Sequence, residues 1–173
     1  MKHVTLISTG GTIEKTYDER TGTLQNRMSI VDKMLAALRL EDITINTLEL
    51  FSKDSLDLTD ADRARILGMV RVMLKDSSPE RGGIVILHGT DTLSVTGEML
   101  RRELADLEVP VVLTGAMRPY EMQRSDALQN LTEAVFAAGV LGPGVYVVAH
   151  GRALAFPGVV KDVTRGTFVK TEE

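Results

Sequence analysis

Short apolar runs, each closed by a turn rich in glycine, threonine or histidine, constrain this chain more than any other feature. His3-Val4-Thr5-Leu6-Ile7-Ser8, Gly83-Ile84-Val85-Ile86-Leu87, Val109-Pro110-Val111-Val112-Leu113 and Val145-Tyr146-Val147-Val148-Ala149 read as strands buried on both faces, the condition of a parallel sheet sandwiched between helices. Asp42 to Phe51 alternates apolar and polar residues and reads as a further strand. Helical patterns lie between these runs. Ser29-Ile30-Val31-Asp32 reads as a cap leading into Lys33 to Leu38, and Thr59-Asp60-Ala61-Asp62 caps a helix with Ile66, Leu67, Val70, Met73 and Leu74 at helical spacing. Further helices are expected over roughly 93–107 and 126–138, and the polar stretch Glu14 to Asn26 reads as a loop. Strand and helix therefore alternate as a βαβ series, which predicts a three-layer α/β/α fold with a mainly parallel sheet, one domain over residues 1–173.

Composition removes several classes of function. With 173 residues, 43% of them hydrophobic, the chain can bury a proper core. Its 24 acidic and 20 basic residues give a net charge of -4 with no basic stripe, so nucleic acid is not an expected partner. The absence of cysteine excludes disulfides and thiolate chemistry, and His3, His88 and His150 are not paired at ligand spacing, so no metal is expected. No dinucleotide glycine fingerprint or Walker lysine is present, so no cofactor is expected. No apolar leader opens the chain and no stretch has the length of a membrane span, which makes a cytoplasmic location without membrane contact the expectation.

Two turns, Thr9-Gly10-Gly11-Thr12 and His88-Gly89-Thr90-Asp91-Thr92, should emerge at carboxyl-terminal strand ends, where open α/β sheets place their ligands. Gly115-Ala116-Met117-Arg118-Pro119 follows another such strand. Taken singly, each motif has an ordinary reading. A Gly-Gly turn serves tight turning as readily as chemistry. Asp91 can cap the following helix or bind an ammonium group. Lys161 reads as a surface lysine and His88 as a hydrogen-bonded structural histidine.

The segments Thr9 to Ile13, Asp54 to Asp62, His88 to Thr92, Gly115 to Pro119 and Ser125 to Leu131 occur in an order that resembles the bacterial-type L-asparaginases (asparaginase/glutaminase), over nearly the whole chain. The resemblance implies the fold of their N-terminal domain and the hydrolysis of L-asparagine to L-aspartate and ammonia, with weak glutaminase activity and no cofactor. It makes Thr12 the nucleophile, Thr90 a second catalytic threonine, Asp91 the carboxylate that grips the substrate α-amino group and Lys161 the catalytic lysine. Tyr17 takes the tyrosine role, although the family's tyrosine often follows a glycine where this chain has Gly22-Thr23. Gly11, Asp54, Ser55, Gly89, Ala116 and Met117 would line the substrate. Leu56 stands where periplasmic-type relatives have a glutamine, and His150-Gly151 where the family has Asn-Asp. Family members usually carry a C-terminal domain that lends an acidic residue to a neighbouring protomer; this sequence ends at Glu173, which is similar to the short-chain form. A homodimer or homotetramer is expected.

Such residues suit amide hydrolysis. A hydroxyl attacks an amide only when a neighbouring base takes its proton, and a lysine serves once its ammonium is disfavoured, which burial promotes and a nearby carboxylate opposes. The alternative is a binding module that holds asparagine or aspartate without turnover; such a module needs neither nucleophile nor base.

Overall fold

Successive residues of the central strands face opposite helical layers. In the computed structural model, which describes residues 1–171, Val4 and Leu6 of β1 (Lys2–Gly10) pack into one apolar cluster while Ile7 packs into another. The same division holds for β5 (Arg81–Leu87), where Val85 and Leu87 face one way and Ile84 and Ile86 the other. The first cluster is covered by α1 (Val31–Leu35) and α4 (Ala127–Val140), the second by α2 (Asp60–Met73) and α3 (Leu93–Glu103). This is the expected three-layer fold, with both faces of the sheet buried.

The central sheet also contains β4 (Ile43–Lys53), β6 (Pro110–Thr114), β7 (Gly144–Ala149) and β8 (Arg152–Ala155), in the order β4-β1-β5-β6-β7-β8. All neighbours are parallel except β7 and β8. From β1 the chain crosses to β4 on one side and then returns to β5 on the other. The strand order thus reverses between β1 and β5, and the crevice outside their carboxyl ends is where such sheets bind ligands.

Caps and turns account for the boundaries. Thr59 and Asp62 form the expected capping box of α2: the Thr59 hydroxyl accepts from the Asp62 N–H at 3.2 Å and the Asp62 carboxylate accepts from the Thr59 N–H at 3.0 Å. The helix expected over 33–38 instead occupies Val31–Leu35 with Ile30 at its cap; the Ser29 hydroxyl accepts from the Val31 N–H at 3.3 Å and donates to Glu14 at 2.6 Å. The helix expected to reach 107 stops at Glu103, ahead of a turn in which Asp106 has φ 53°. At the end of β7, His150 and Gly151 have φ of 55° and 75°, and this tight turn sends the chain back as antiparallel β8. The stretch read as a loop contains a small hairpin, β2 (Thr16–Asp18) with β3 (Thr23–Gln25). A second hairpin follows β8, β9 (Val159–Asp162) with β10 (Thr167–Lys170), anchored by buried Val159 and Phe168. No helix among the described residues is long and apolar enough to cross a membrane.

Candidate active site

Glycines let the turns at the carboxyl ends of the strands pack backbone to backbone. Gly11 has φ 82°, and a Cβ placed there would stand 2.4 Å from the Gly89 nitrogen. A Cβ on Gly89 would stand 2.5 Å from the Ser55 side chain, and one on Gly115 would stand 2.2 Å from the His88 carbonyl oxygen. The Thr-Gly-Gly-Thr turn, the His-Gly-Thr-Asp-Thr turn, the Ser55 turn and the Gly115 turn therefore form one contiguous surface. Thr12 and Thr90, the residues after the touching glycines Gly11 and Gly89, are brought to the same crevice.

Thr12 begins a short 3-10 turn, Thr12–Glu14, and is half-buried. Thr90 is 4% exposed. The Lys161 ammonium, carried by β9, donates to the Thr90 hydroxyl at 2.8 Å and to the Asp91 carboxylate at 2.7 Å. Asp91 thus pairs with a lysine seventy residues away and does not cap α3, at whose N-cap stands Thr92, with no capping bond from its side chain. The Thr92 hydroxyl instead donates to the Ser55 carbonyl at 2.8 Å and its N–H to the Ser55 hydroxyl at 3.4 Å, fixing the Ser55 turn against the threonine turn. Asp54 accepts from the Leu56 N–H at 3.0 Å and from Lys15 at 2.5 Å; the lysine hydrogen bond is the main reason its carboxyl lies below the usual range. Leu56 is 70% exposed beside this turn.

His88 is fully buried with both ring nitrogens engaged, as a structural histidine should be. Nδ1 meets the Gly89 carbonyl at 2.8 Å and must carry the hydrogen, since a carbonyl only accepts; Nε2 then accepts from the Thr96 hydroxyl at 2.8 Å. Burial above all, and then the Arg63 charge, push its pKa from 6.5 down to about 4. Between those values the unfolded imidazole takes up a proton that the folded one refuses, so unfolding binds protons and stability falls as pH drops from about 6.5 to about 4. Chemical unfolding at pH 4.5 should show a loss of about 2 to 3 kcal/mol from this residue relative to pH 7. In His88→Gln the drop between the two pH values should shrink by that amount; an equal drop in both proteins would contradict the assignment.

Ala116 is buried at the Gly115 turn, and the Met117 and Arg118 N–H groups donate to the Asp126 carboxylate at 2.9 and 3.0 Å. Burial alone would raise the Asp126 carboxyl, yet these amides and His150 Nε2 at 2.7 Å outweigh it and hold it below its ordinary value. Asn130 completes the network by donating to the Gly115 carbonyl at 2.9 Å. His150 also meets the Thr167 hydroxyl at 2.9 Å, which ties the lysine-bearing hairpin to the Gly115 turn. Sequence alone assigns no role to Asp126, Asn130 or His150; the signal for the first two is their place at the start of a helix in the segment Ser125 to Leu131.

Tyr17 is placed differently. It stands on β2, 58% exposed, with its N–H donating to Glu121 at 3.0 Å and its side chain bordering a recess shared with Gly22, Leu24 and Met122. Among the described residues its phenol makes no hydrogen bond. Thr90, Asp91 and Lys161 are in direct contact, Ser55 is bonded to the adjoining Thr92, and Thr12 follows the glycine packed against Gly89; Tyr17 stands on the β2–β3 hairpin.

The sequence profile described as Asparaginase, N-terminal matches residues 3–170. The thermostable L-asparaginase from Thermococcus kodakarensis superposes with a TM-score of 0.84 at 29% identity, covering 97% of this chain and 51% of that one. L-asparaginase I from Vibrio cholerae gives 0.80 at 26% identity, covering 98% of this chain and 51% of that one. Among sequences, a glutamyl-tRNA(Gln) amidotransferase polypeptide of Methanococcus maripaludis is 33% identical over 87% of this chain and 35% of its own length. An L-asparaginase of Bacillus licheniformis is 32% identical over 87% of this chain and 47% of its own length. The chain spans between a third and a half of the length of these curated relatives. The order of its glycine and threonine turns around the strand reversal, the profile that fits almost all of it and the superposition on solved enzymes agree: this chain belongs to the asparaginase family.

Proposed function

We propose that this chain hydrolyses the side-chain amide of L-asparagine to L-aspartate and ammonia through an ester on Thr12. The observation that carries the reading is the Lys161 ammonium held between the Thr90 hydroxyl and the Asp91 carboxylate, on a turn whose backbone touches the Thr12 turn. Asp91 and Ser55 grip the amino-acid head of the substrate, a charge-assisted contact that a neutral residue cannot replace. The Lys161 ammonium first gives one proton to solvent; the Thr12 hydroxyl then attacks the amide carbon while its proton passes through the Thr90 hydroxyl to the neutral Lys161 amine. The C–N bond breaks, the leaving nitrogen takes a proton from the same pair and departs as ammonia. Water then attacks the β-aspartyl ester, regenerating Thr12 and releasing aspartate. Backbone N–H groups of the two glycine turns hold the developing oxyanion, each worth roughly 3 kcal/mol. Tyr17 enters only if its hairpin folds further over Thr12.

Steady-state ammonia release from asparagine and glutamine tests the reading. One additional methylene is worth about 10- to 200-fold in discrimination, and Leu56 offers no polar contact to steady the longer substrate. Asparagine should therefore be preferred by at least about tenfold in kcat/KM. Comparable values would contradict the assigned specificity and point toward the amidotransferase-type relatives. Aspartate binding by calorimetry without release from either amide would leave the non-catalytic binding module.

A further inference from the structure

Glu14 is fully buried in the turn that begins with Thr12, and the proposed reaction makes no use of it. One carboxylate oxygen accepts from the Ser8 hydroxyl on β1; the other accepts from the Ser29 hydroxyl at 2.6 Å and from the Ile30 N–H at 3.1 Å. The hairpin β2–β3 leaves the sheet directly after Glu14 and Lys15 and returns at Ser29 and Ile30. A single carboxyl therefore joins three segments: the strand beneath Thr12, the turn that carries Thr12 and the returning foot of the hairpin.

No lysine, arginine or histidine pairs with Glu14 among the described residues, and both burial and the nearby Glu49 charge raise its pKa. Burying a carboxyl without a cation is costly unless its oxygens are satisfied. A space-filling role needs no carboxyl: Ile13, beside it, is equally buried and apolar. The Thr12–Glu14 turn is held by backbone bonds from the Glu14 N–H to the Gly11 carbonyl and the Lys15 N–H to the Thr12 carbonyl, both at 3.2 Å, and from the Tyr120 N–H to the Ile13 carbonyl at 3.3 Å. None of these three bonds reaches Ser8, Ser29 or Ile30; the Glu14 carboxyl makes those ties.

We infer that Glu14 is a positioning residue for the proposed nucleophile, locking the Thr12 turn to β1 and to the foot of the hairpin so that the hairpin beyond it is left to move without displacing Thr12. The inference rests on the hydrolase reading for its kinetic consequence, though not for its mechanical one. Displacing a nucleophile by about 1 Å costs on the order of a hundredfold in rate. Glu14→Ala should lower kcat about a hundredfold with KM within about twofold, since Ser55 and Asp91 lie on other turns. Glu14→Gln keeps the shape and one acceptor oxygen and should fall between it and the wild type, about tenfold down. Tryptic cleavage at exposed Arg20, in the hairpin, should run about tenfold faster in Glu14→Ala. Both variants with wild-type kcat and wild-type cleavage rates, even at a lower melting temperature, would overturn the inference. If the wild-type protein releases no ammonia, the hydrolase reading fails by itself; the cleavage rates then decide, and equal rates in Glu14→Ala and wild type would overturn the clamp.

Discussion

Thr12→Ala is expected to abolish ammonia release, lowering kcat by about 10⁴-fold, while the melting temperature stays within a few degrees of the wild type. Thr12 is half-buried at the start of a short turn, and removing its hydroxyl and methyl opens no cavity in either apolar cluster. Lys161→Met should be nearly as severe. The lysine contacts Thr90 and a 45% exposed Asp91 side chain, so its loss removes a proton carrier and costs little stability. Groups that act in one step are strongly non-additive. The double variant Thr12→Ala/Lys161→Met should therefore be no slower than the worse single variant. Wild-type turnover in Thr12→Ala would remove it as the nucleophile, and additive losses would mean that the two residues serve separate steps.

Gly11→Ala carries the second large effect, and it acts on fold and activity together. The new Cβ would lie 2.4 Å from the Gly89 nitrogen and 2.5 Å from its Cα, both backbone atoms, at a φ of 82° that alanine rarely adopts. Neither atom can swing aside, so the two threonine turns must separate. A loss of about 3 kcal/mol or more in denaturant unfolding is expected, with loss of turnover. Gly68→Ala is the matching control: it lies within α2, no atom beyond the adjoining helical backbone stands within 4 Å of its would-be Cβ, and the change should be neutral or stabilising by up to about 1 kcal/mol. A Gly11→Ala protein as stable and active as wild type would show that the turns do not need to touch.

The turns and the central strands were legible in the sequence because burial on both faces leaves unbroken apolar runs that end abruptly at glycine-bearing turns, as Gly83 to Leu87 does at His88-Gly89. The capping box at Thr59 and Asp62 was legible because it is a local pattern. The hairpin β2–β3 was not, since two three-residue strands, one of them wholly exposed, leave no periodic trace. Lys161 could be found by resemblance alone. Its strand, β9, belongs to a small two-stranded sheet, and its partners Thr90 and Asp91 are distant in sequence. Glu14 escaped notice for a related reason. A glutamate in a polar stretch reads as solvated, and only the return of the chain at Ser29 and Ile30 reveals that it is enclosed. His150 likewise acquires its partners Asp126 and Thr167 only when β7 and β10 are brought together in space.

The central claim is that Thr12 forms an ester with the β-carboxyl of the substrate. Acid quenching of the protein during turnover of asparagine, followed by peptide mass spectrometry, tests it most directly. An aspartyl adduct is predicted on the peptide containing Thr12, absent in Thr12→Ala. An adduct on Thr90 instead, or an unmodified protein under conditions where ammonia is being released, would contradict it.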